Sequence, residues 1–159
     1  VHSVCFSADG MRVLASSHDG CVLVWRFENG RTLLSLRMQG HAGPVTSASF
    51  SPDGLSVLAA YDDCTAKLWE ADVHTMTYSG HERFVTCASF SSDGTLIATA
   101  SEDCTAKIWN ARTGNQPLTL RGHEAAVMSV CFSPDGGSLL TASGDGTARI
   151  WCATTCECL

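Results

Sequence analysis

Short apolar runs alternate with polar turns along the whole chain, and no run follows the 3.6-residue period of an amphipathic helix. Turn signals built from Gly, Asp and Pro recur about every 8 to 12 residues. Some runs, such as residues 57–60, are continuously apolar, which is typical of a strand whose sheet is covered on both faces. Others alternate, with a charged residue such as Lys67 between apolar neighbours. The pattern predicts an all-β protein of short strands.

One motif recurs four times at a period of about 40 residues. A truncated copy covers residues 1–25, and full copies, which open with Gly-His and end with an aliphatic residue and Trp, cover residues 40–69, 80–109 and 122–151. In the full copies His precedes Trp by 28 positions (69−41, 109−81 and 151−123), and in all four an Asp lies six positions before Trp. Repeats of this length are typical of β-propeller blades, each a four-stranded antiparallel sheet. We therefore predict a single propeller segment, 1–159, with four blades at 1–38, 39–78, 79–121 and 122–159.

Each repeat is predicted to contain four strands, a to d in chain order. In the third repeat we expect them at 85–91, 96–101, 105–111 and 116–121, and the fourth repeat is expected to end with a strand at 155–159. Between strands a and b, Ser-Pro-Asp-Gly places Pro where φ is near −65° and Gly where φ is positive. Between strands b and c an Asp-Gly turn is usual, but Cys64 and Cys104 replace that Gly. A left-handed conformation would cost about 1 kcal/mol at each cysteine.

These motifs resemble those of the WD-repeat family, and the resemblance extends over essentially the whole chain. The dipeptide that names the family is absent, because the residue after each Trp is Arg26, Glu70, Asn110 or Cys152. Since seven-bladed rings dominate this family, and the chain opens on Val1 within a repeat, the resemblance implies a segment of a larger ring. Two alternatives stay open: head-to-tail pairing of two chains into an eight-bladed ring, or a closed four-bladed ring.

The resemblance also implies a hydrogen-bonded tetrad of His, Ser or Thr, Asp and Trp that locks a blade. Such a network gives a buried imidazole, hydroxyl and indole the partners they need. A catalytic site is normally built once rather than in every repeat, and no GxSxG motif occurs. We therefore expect no catalytic residues and no enzyme. Ala15 and Ala59 replace the hydroxyl residue in the first two repeats. The implied tetrad members are His81, Thr99, Asp103 and Trp109; His123, Thr141, Asp145 and Trp151; His41, Asp63 and Trp69; and Asp19 and Trp25.

The net charge of −6 argues against a nucleic-acid partner and favours a neutral or basic one. No apolar run is long enough for a membrane helix, so no membrane association is expected. Nine scattered cysteines, an odd number, predict reduced thiols and an intracellular location, cytoplasmic or nuclear. The densest group, Cys152, Cys156 and Cys158, lacks the CxxC spacing of a zinc site, and we expect no metal and no cofactor.

For function, the resemblance implies a non-enzymatic scaffold that binds peptide segments of protein partners. In this family ligands commonly dock on the face that carries the d–a loops and the b–c turns. Glu82 and Glu124 near this face favour a basic or neutral peptide. We expect Phe84 and Met128 to be the apolar anchors, because interface energy concentrates in a few such residues. By position, the candidate peptide-binding residues are His18, Pro44, Thr46, Asp62, Phe84, Thr86, Glu102 and Met128.

Two further interpretations concern partners. An open arc of blades exposes the apolar faces of its first and last members, which predicts self-association through the propeller ends. The alternative function is a substrate-recognition arm of a modifying complex such as a ubiquitin ligase. Recognition of a phosphorylated segment would need clustered arginines, and Arg83 is the one arginine that the sequence places near the binding face.

Overall fold

The computed structural model describes residues 1–29, 31–39, 43–70, 73–115 and 117–159. Within these residues all regular elements are strands, and they form four antiparallel sheets taken in chain order. The predicted all-β propeller architecture is confirmed. The first sheet contains β1 (Ser3–Phe6), β2 (Arg12–Ser16), β3 (Cys21–Glu28) and β4 (Arg31–Gln39). The second contains β5 (Val45–Phe50), β6 (Ser56–Tyr61), β7 (Thr65–Glu70) and β8 (Val73–Ser79). The third contains β9 (Val85–Phe90), β10 (Leu96–Ser101), β11 (Ala106–Asn110) and β12 (Leu118–Leu120).

The fourth sheet contains three strands: β13 (Val127–Phe132), β14 (Ser138–Ser143) and β15 (Ala148–Cys152). The predicted strand at 155–159 is therefore wrong in its extent. The chain turns after β15, where the N–H of Cys156 donates to the carbonyl of Cys152 at 2.9 Å and Cys156 adopts φ 62°. Beyond this turn, the pairing with β15 is an isolated bridge between Cys158 and Trp151.

A Ser-x-Asp-Gly turn connects the first two strands of every sheet. In the second sheet, Ser51 Oγ donates to Asp53 Oδ1 and accepts from the N–H of Ser56 at 2.9 Å. The N–H of Leu55 also donates to Asp53 Oδ1, and Gly54 takes φ 71°. The side chains thus satisfy the turn's backbone groups, and the positive φ explains the glycine. The same turn recurs at residues 7–10, 91–94 and 133–136.

Three hydrophobic cores lie between successive sheets, so each inner sheet is covered on both faces. In the second core, Leu58 and Tyr78 of the second sheet pack with Ile97 and Trp109 of the third, all at most 2% exposed. The continuous apolar runs of the second strands follow from this arrangement, since alternate side chains enter different cores.

The antiparallel order of the strands sorts the connections to two edges. The connections that precede each first strand lie on the same edge as the turns between the second and third strands; we call this edge the loop face. The Ser-x-Asp-Gly turns and the connections between third and fourth strands lie on the other edge, the opposite face.

Apolar residues on the outer faces of the first and last sheets are exposed, whereas residues at the equivalent positions of the inner sheets are buried. Val4 on the first sheet is 67% exposed, whereas the equivalent Ala48 is 5% exposed. Leu140 and Ile150 on the last sheet are 45% and 51% exposed, whereas Ala98 and Ile108 at the same places on the third sheet are 0% and 3% exposed. A cavity of about 420 Å³ on the last sheet's outer face is lined by residues that include Leu139, Leu140 and Ile150.

Candidate functional site

The third sheet brings His81, Thr99, Asp103 and Trp109 into one chain of hydrogen bonds. The indole N–H of Trp109 donates to Thr99 Oγ1 at 2.8 Å. The same oxygen lies 2.8 Å from His81 Nε2, and His81 Nδ1 lies 2.8 Å from Asp103 Oδ2. Because the indole can only donate and an ionised carboxylate can only accept, Thr99 donates to Nε2 and Nδ1–H donates to Asp103. A neutral imidazole therefore satisfies every member of the network.

The surroundings of this network favour that protonation pattern. Burial lowers the pKa of His81, and this outweighs the opposing effect of the Asp103 hydrogen bond. Burial alone would raise the pKa of Asp103, but hydrogen bonds from Thr105, His81 and the N–H of Glu82 lower it to about 2. The site thus pairs a neutral imidazole with an ionised carboxylate, both engaged inside the blade.

The fourth sheet repeats the same arrangement with His123, Thr141, Asp145 and Trp151. Trp151 Nε1 donates to Thr141 Oγ1 at 2.8 Å, His123 Nε2 lies 2.7 Å from that oxygen, and His123 Nδ1 lies 2.8 Å from Asp145 Oδ2. The hydrogen bond from Thr147 is the largest cause that lowers the pKa of Asp145. Two equivalent networks in neighbouring sheets have the character of a structural repeat.

The first two sheets carry partial versions. His41 lies outside the described residues. Ala59 offers no hydroxyl to Trp69, and Tyr61, on the same face, lies beside that indole instead; burial raises the pKa of Tyr61 to about 12. In the first sheet Trp25 is half-buried on the outer face. The turn aspartates keep their local role in these sheets, since Asp19 and Asp63 accept from the N–H groups of Cys21 and Thr65.

On the loop face, one backbone hydrogen bond recurs in successive sheets. In the second and third sheets it joins two candidate binding residues to each other. The N–H of Asp62 donates to the carbonyl of Pro44 at 3.2 Å, and the N–H of Glu102 donates to the carbonyl of Phe84 at 3.0 Å. In the last sheet Gly144 donates to Ala126 at 2.8 Å. Each contact ties the loop before a first strand to the turn after a second strand.

In the third sheet, the loop face combines an exposed aromatic ring with a depression lined by charged side chains. Phe84 is 47% exposed, although its backbone is held to Glu102. Beside it lies a depression of about 260 Å³ lined by Glu82, Arg83, Glu102, Asp103 and Cys104. An exposed aromatic ring next to carboxylates is suited to a segment that carries apolar and basic side chains.

Thr46, Thr86 and Met128 occupy equivalent places in three sheets, and Thr46 and Thr86 face the following sheet. Thr46 Oγ1 donates to the carbonyl of Val85 at 2.5 Å, and Thr86 Oγ1 donates to the carbonyl of Val127 at 2.6 Å. Both hydroxyls thus connect neighbouring sheets, a role that the sequence analysis missed. Met128, 56% exposed, stands at this place on the last sheet.

In the first sheet the candidate residue His18 contacts His2. His18 Nδ1 lies 3.3 Å from His2 Nε2, and both residues are exposed. Among the described residues no group of three or more His, Cys, Asp or Glu side chains could hold a metal ion. All nine cysteines are free thiols. No helix of the described chain is long and apolar enough to cross a membrane.

Four sheets with the same turns, packed face to face, define a repeat protein of the propeller class. The family model for the WD domain, G-beta repeat, matches residues 1–26, 31–70, 73–110 and 114–152. The chain belongs to this WD40 repeat family, which confirms the resemblance seen in the sequence. WD40 repeats generally mediate protein–protein interactions, and proteins of this family are generally non-enzymatic scaffolds.

Similar segments occur in much longer proteins. The chain is 41% identical over 77 residues to WD repeat-containing protein 1 of Mus musculus, which covers 48% of this chain and 13% of that protein. It is 31% identical over 70 residues to Protein Atg16l2 of Mus musculus, covering 44% and 11%. It is 34% identical over 64 residues to Angio-associated migratory cell protein of Homo sapiens, covering 40% and 15%.

Proposed function

We propose that this chain is a non-enzymatic scaffold that binds a peptide segment of a protein partner on its loop face. The observation that carries the proposal is the repeated contact between the Phe84 and Glu102 backbones and its counterparts in the neighbouring sheets. Because this contact fixes the loops, the exposed Phe84 ring is presented with little freedom to lose on binding. A rigid aromatic residue of this kind is a common interaction anchor.

We further propose that the bound segment is basic. Glu82 and Glu102 line the depression beside Phe84, and Glu124 lies exposed on the next sheet. Arg83 supplies one opposing charge. A lysine or arginine of the bound segment that lies near Phe84 would therefore pair with these carboxylates. The electrostatic part of the affinity would then weaken with added salt.

The histidine, threonine and aspartate networks support the non-enzymatic part of this proposal. In the third and fourth sheets the hydroxyl of each network is occupied by an indole and an imidazole, and it is buried. A nucleophile needs an accessible oxygen beside its base. These hydroxyls are engaged inside the blade.

The test is selection of peptides from a random displayed library, followed by affinity measurements with the purified chain. We expect basic peptides to be selected and the combined change Phe84→Ala and Met128→Ala to weaken their binding about tenfold or more, as for loss of a buried anchor. Leu118→Ala serves as the matched control, because Leu118 is similarly exposed at 46% but lies on the outermost strand of the third sheet. Equal affinity for the wild type and the combined variant would overturn the proposal.

We also propose that the outer faces of the first and last sheets associate with each other between chains. The exposed Val4 and Phe6 on one face and Leu140 and Ile150 on the other stand where core residues stand in the inner sheets. Light scattering behind a sizing column measures the absolute mass. A dimer that Ile150→Asp dissociates supports the proposal, whereas a monomeric wild-type chain at high concentration contradicts it.

A further inference from the structure

A groove opens on the opposite face between the second and third sheets. Its volume is about 260 Å³. Leu68 and Ala111, both 8% exposed, lie at its base, and the half-buried ring of Phe90 forms one wall. Charged side chains surround it. They are Asp53, Glu70, Asp93 and Arg112.

The groove exists because one position is small in the second sheet. The second strand begins with Arg12 in the first sheet, Ser56 in the second and Leu96 in the third. Each of these residues pairs with the residue that follows the Trp of the third strand, so the three positions are equivalent. Arg12 and Leu96 extend toward the following sheet, where Arg12 reaches Phe50 and Leu96 packs on the third core. Ser56 is too short to cover Phe90.

Between the first and second sheets, the guanidinium group of Arg12 fills the equivalent place. The guanidinium carbon of Arg12 lies 5.4 Å from the centre of the Phe50 ring. A guanidinium nitrogen of the same residue lies 3.7 Å from Asp9 Oδ2. The same nitrogen lies close to Gly54, since a Cβ added to that glycine would lie only 2.8 Å from it. An arginine thus sits between an aromatic ring, a turn carboxylate and a turn glycine, an arrangement favoured by cation–π attraction.

The groove between the second and third sheets has the same aromatic ring, turn carboxylate and turn glycine, but Ser56 stands where Arg12 supplies the guanidinium. Phe90, Asp53 and Gly94 occupy the places of Phe50, Asp9 and Gly54, and all three line the groove. Asp53 is oriented like Asp9, because its Oδ1 accepts from the Ser hydroxyl and the backbone N–H of the turn, as Asp9 Oδ1 does. The Ser51 hydrogen bond, ahead of the Leu55 N–H, lowers the pKa of Asp53, so the carboxylate is ionised at neutral pH.

We propose that this groove binds an arginine side chain of a protein partner. The guanidinium lies over the Phe90 ring and pairs with Asp53, as Arg12 does with Phe50 and Asp9 one sheet earlier. Three carboxylates against the single cation Arg112 give the rim a net negative charge, which complements the ligand. This site lies on the opposite face and is independent of the loop-face proposal, so one chain could hold two segments.

The test is a nuclear magnetic resonance titration of the purified chain with N-acetyl-arginine amide. We expect saturable shifts of the amide signals of Glu70, Phe90 and Gly94. The matched N-acetyl-citrulline amide has nearly the same shape but no charge, and we expect it to bind at least about tenfold more weakly, since the cation–π and ion-pair contributions are lost. Equal responses to the two probes, shifts confined to other regions, or no saturable shifts with the arginine probe would overturn the proposal.

Filling the groove provides the second arm. Ser56→Leu copies the third sheet and Ser56→Arg copies the first, so both side chains fit a place that the fold already accommodates. We expect both variants to keep the Tm of the wild type and to lose the arginine response about tenfold or more. Ser138→Leu, the same change at the equivalent position of the last sheet, should leave the response intact. Binding that persists in either folded Ser56 variant would contradict the assignment.

Arg112 lines the groove and provides a check on self-occupation. If its own guanidinium filled the place over Phe90, Arg112→Ala would strengthen binding of the arginine probe about tenfold or more. The proposal expects at most a small increase, from removal of one repelling charge. A tenfold gain would show that the groove is already satisfied within the chain and would overturn the partner assignment.

Discussion

The tetrad of the third sheet gives the sharpest prediction, for the change Thr99→Val. Valine keeps the volume of threonine but removes the hydroxyl. Thr99 is fully buried, and its oxygen serves both Trp109 Nε1 and His81 Nε2 at 2.8 Å. The change therefore leaves a buried donor and a buried acceptor without partners.

Each unsatisfied buried group costs about 1–3 kcal/mol, and partial relaxation makes the sum smaller than the maximum. We expect the free energy of unfolding to fall by about 2–4 kcal/mol, which corresponds to a Tm decrease of roughly 4–16 °C for a chain of this size. Equilibrium urea unfolding followed by tryptophan fluorescence measures the loss. Thr95→Val is the matched control, because Thr95 is exposed and bonds to Asp93 in solvent; we expect a change below about 0.5 kcal/mol.

A double-mutant cycle identifies the cause. In a Trp109→Phe background the indole donor is absent, so Thr99→Val should cost about 1 kcal/mol less than in the wild type. A Thr99→Val loss no larger than that of Thr95→Val, or the same loss with and without the indole, would refute this account of the network.

Three further predictions concern the same region and the cysteines. Because burial lowers the pKa of His81 below its unfolded value, stability should be constant above about pH 7 and fall as pH drops through 6.5, where the unfolded imidazole gains a proton. The pKa of Asp103, lowered to about 2, should decrease the free energy of unfolding further as the pH drops below about 4. Urea unfolding at several pH values, with His81→Gln as comparison, measures both decreases. Cys104→Gly should raise the free energy of unfolding by about 0.5 kcal/mol, because Cys104 has φ 67° and Gly avoids the left-handed strain at some cost in chain entropy, whereas Cys104→Ala should gain nothing in the same assay. Hydrogen bonds from Thr154, the largest cause, and from Thr155 lower the pKa of Cys152 to about 6. Its alkylation by iodoacetamide, followed by peptide mass spectrometry, should therefore reach half its maximal rate near pH 6, and Thr154→Ala should move that midpoint upward.

The repeats could be predicted from the sequence because their signals are local and redundant. Asp before a positive-φ residue, Trp six positions later and the Ser-x-Asp-Gly turn each describe one sheet, and each recurs. The left-handed conformation expected of Cys64 and Cys104 in this pattern is present, with φ of 70° and 67°. Cysteine keeps the turn because the hydrogen bonds of the preceding Asp with the following residue hold it.

Contacts between sheets could not be predicted in this way, because they depend on which side chain meets which neighbour. The repeat alignment treats Thr46 and Thr86 as loop-face residues, yet both donate to the next sheet. The groove at Ser56 had a visible signal, since the aligned residues are Arg12 and Leu96. The packing of Arg12 on Phe50 and of Leu96 on the third core, which the sequence does not reveal, shows that this position faces the following sheet.

The second sheet illustrates a compensation that a motif search overlooks. Ala59 removes the hydroxyl expected beneath Trp69, and two positions later Tyr61 places a large polar side chain on the same face. Read by the motif alone, this repeat looks defective. In the structure Tyr61 is fully buried, belongs to the first core together with Trp69, and lies beside its indole.

The proposed role of the loop face is tested most directly by mapping where a selected basic peptide binds. Amide signals of the labelled chain are followed while the peptide is added. We expect the largest changes at residues 82–84 and 102–104 on the loop face, and their loss after Phe84→Ala. Changes confined to the groove at Ser56 or to the outer faces of the first and last sheets would contradict it.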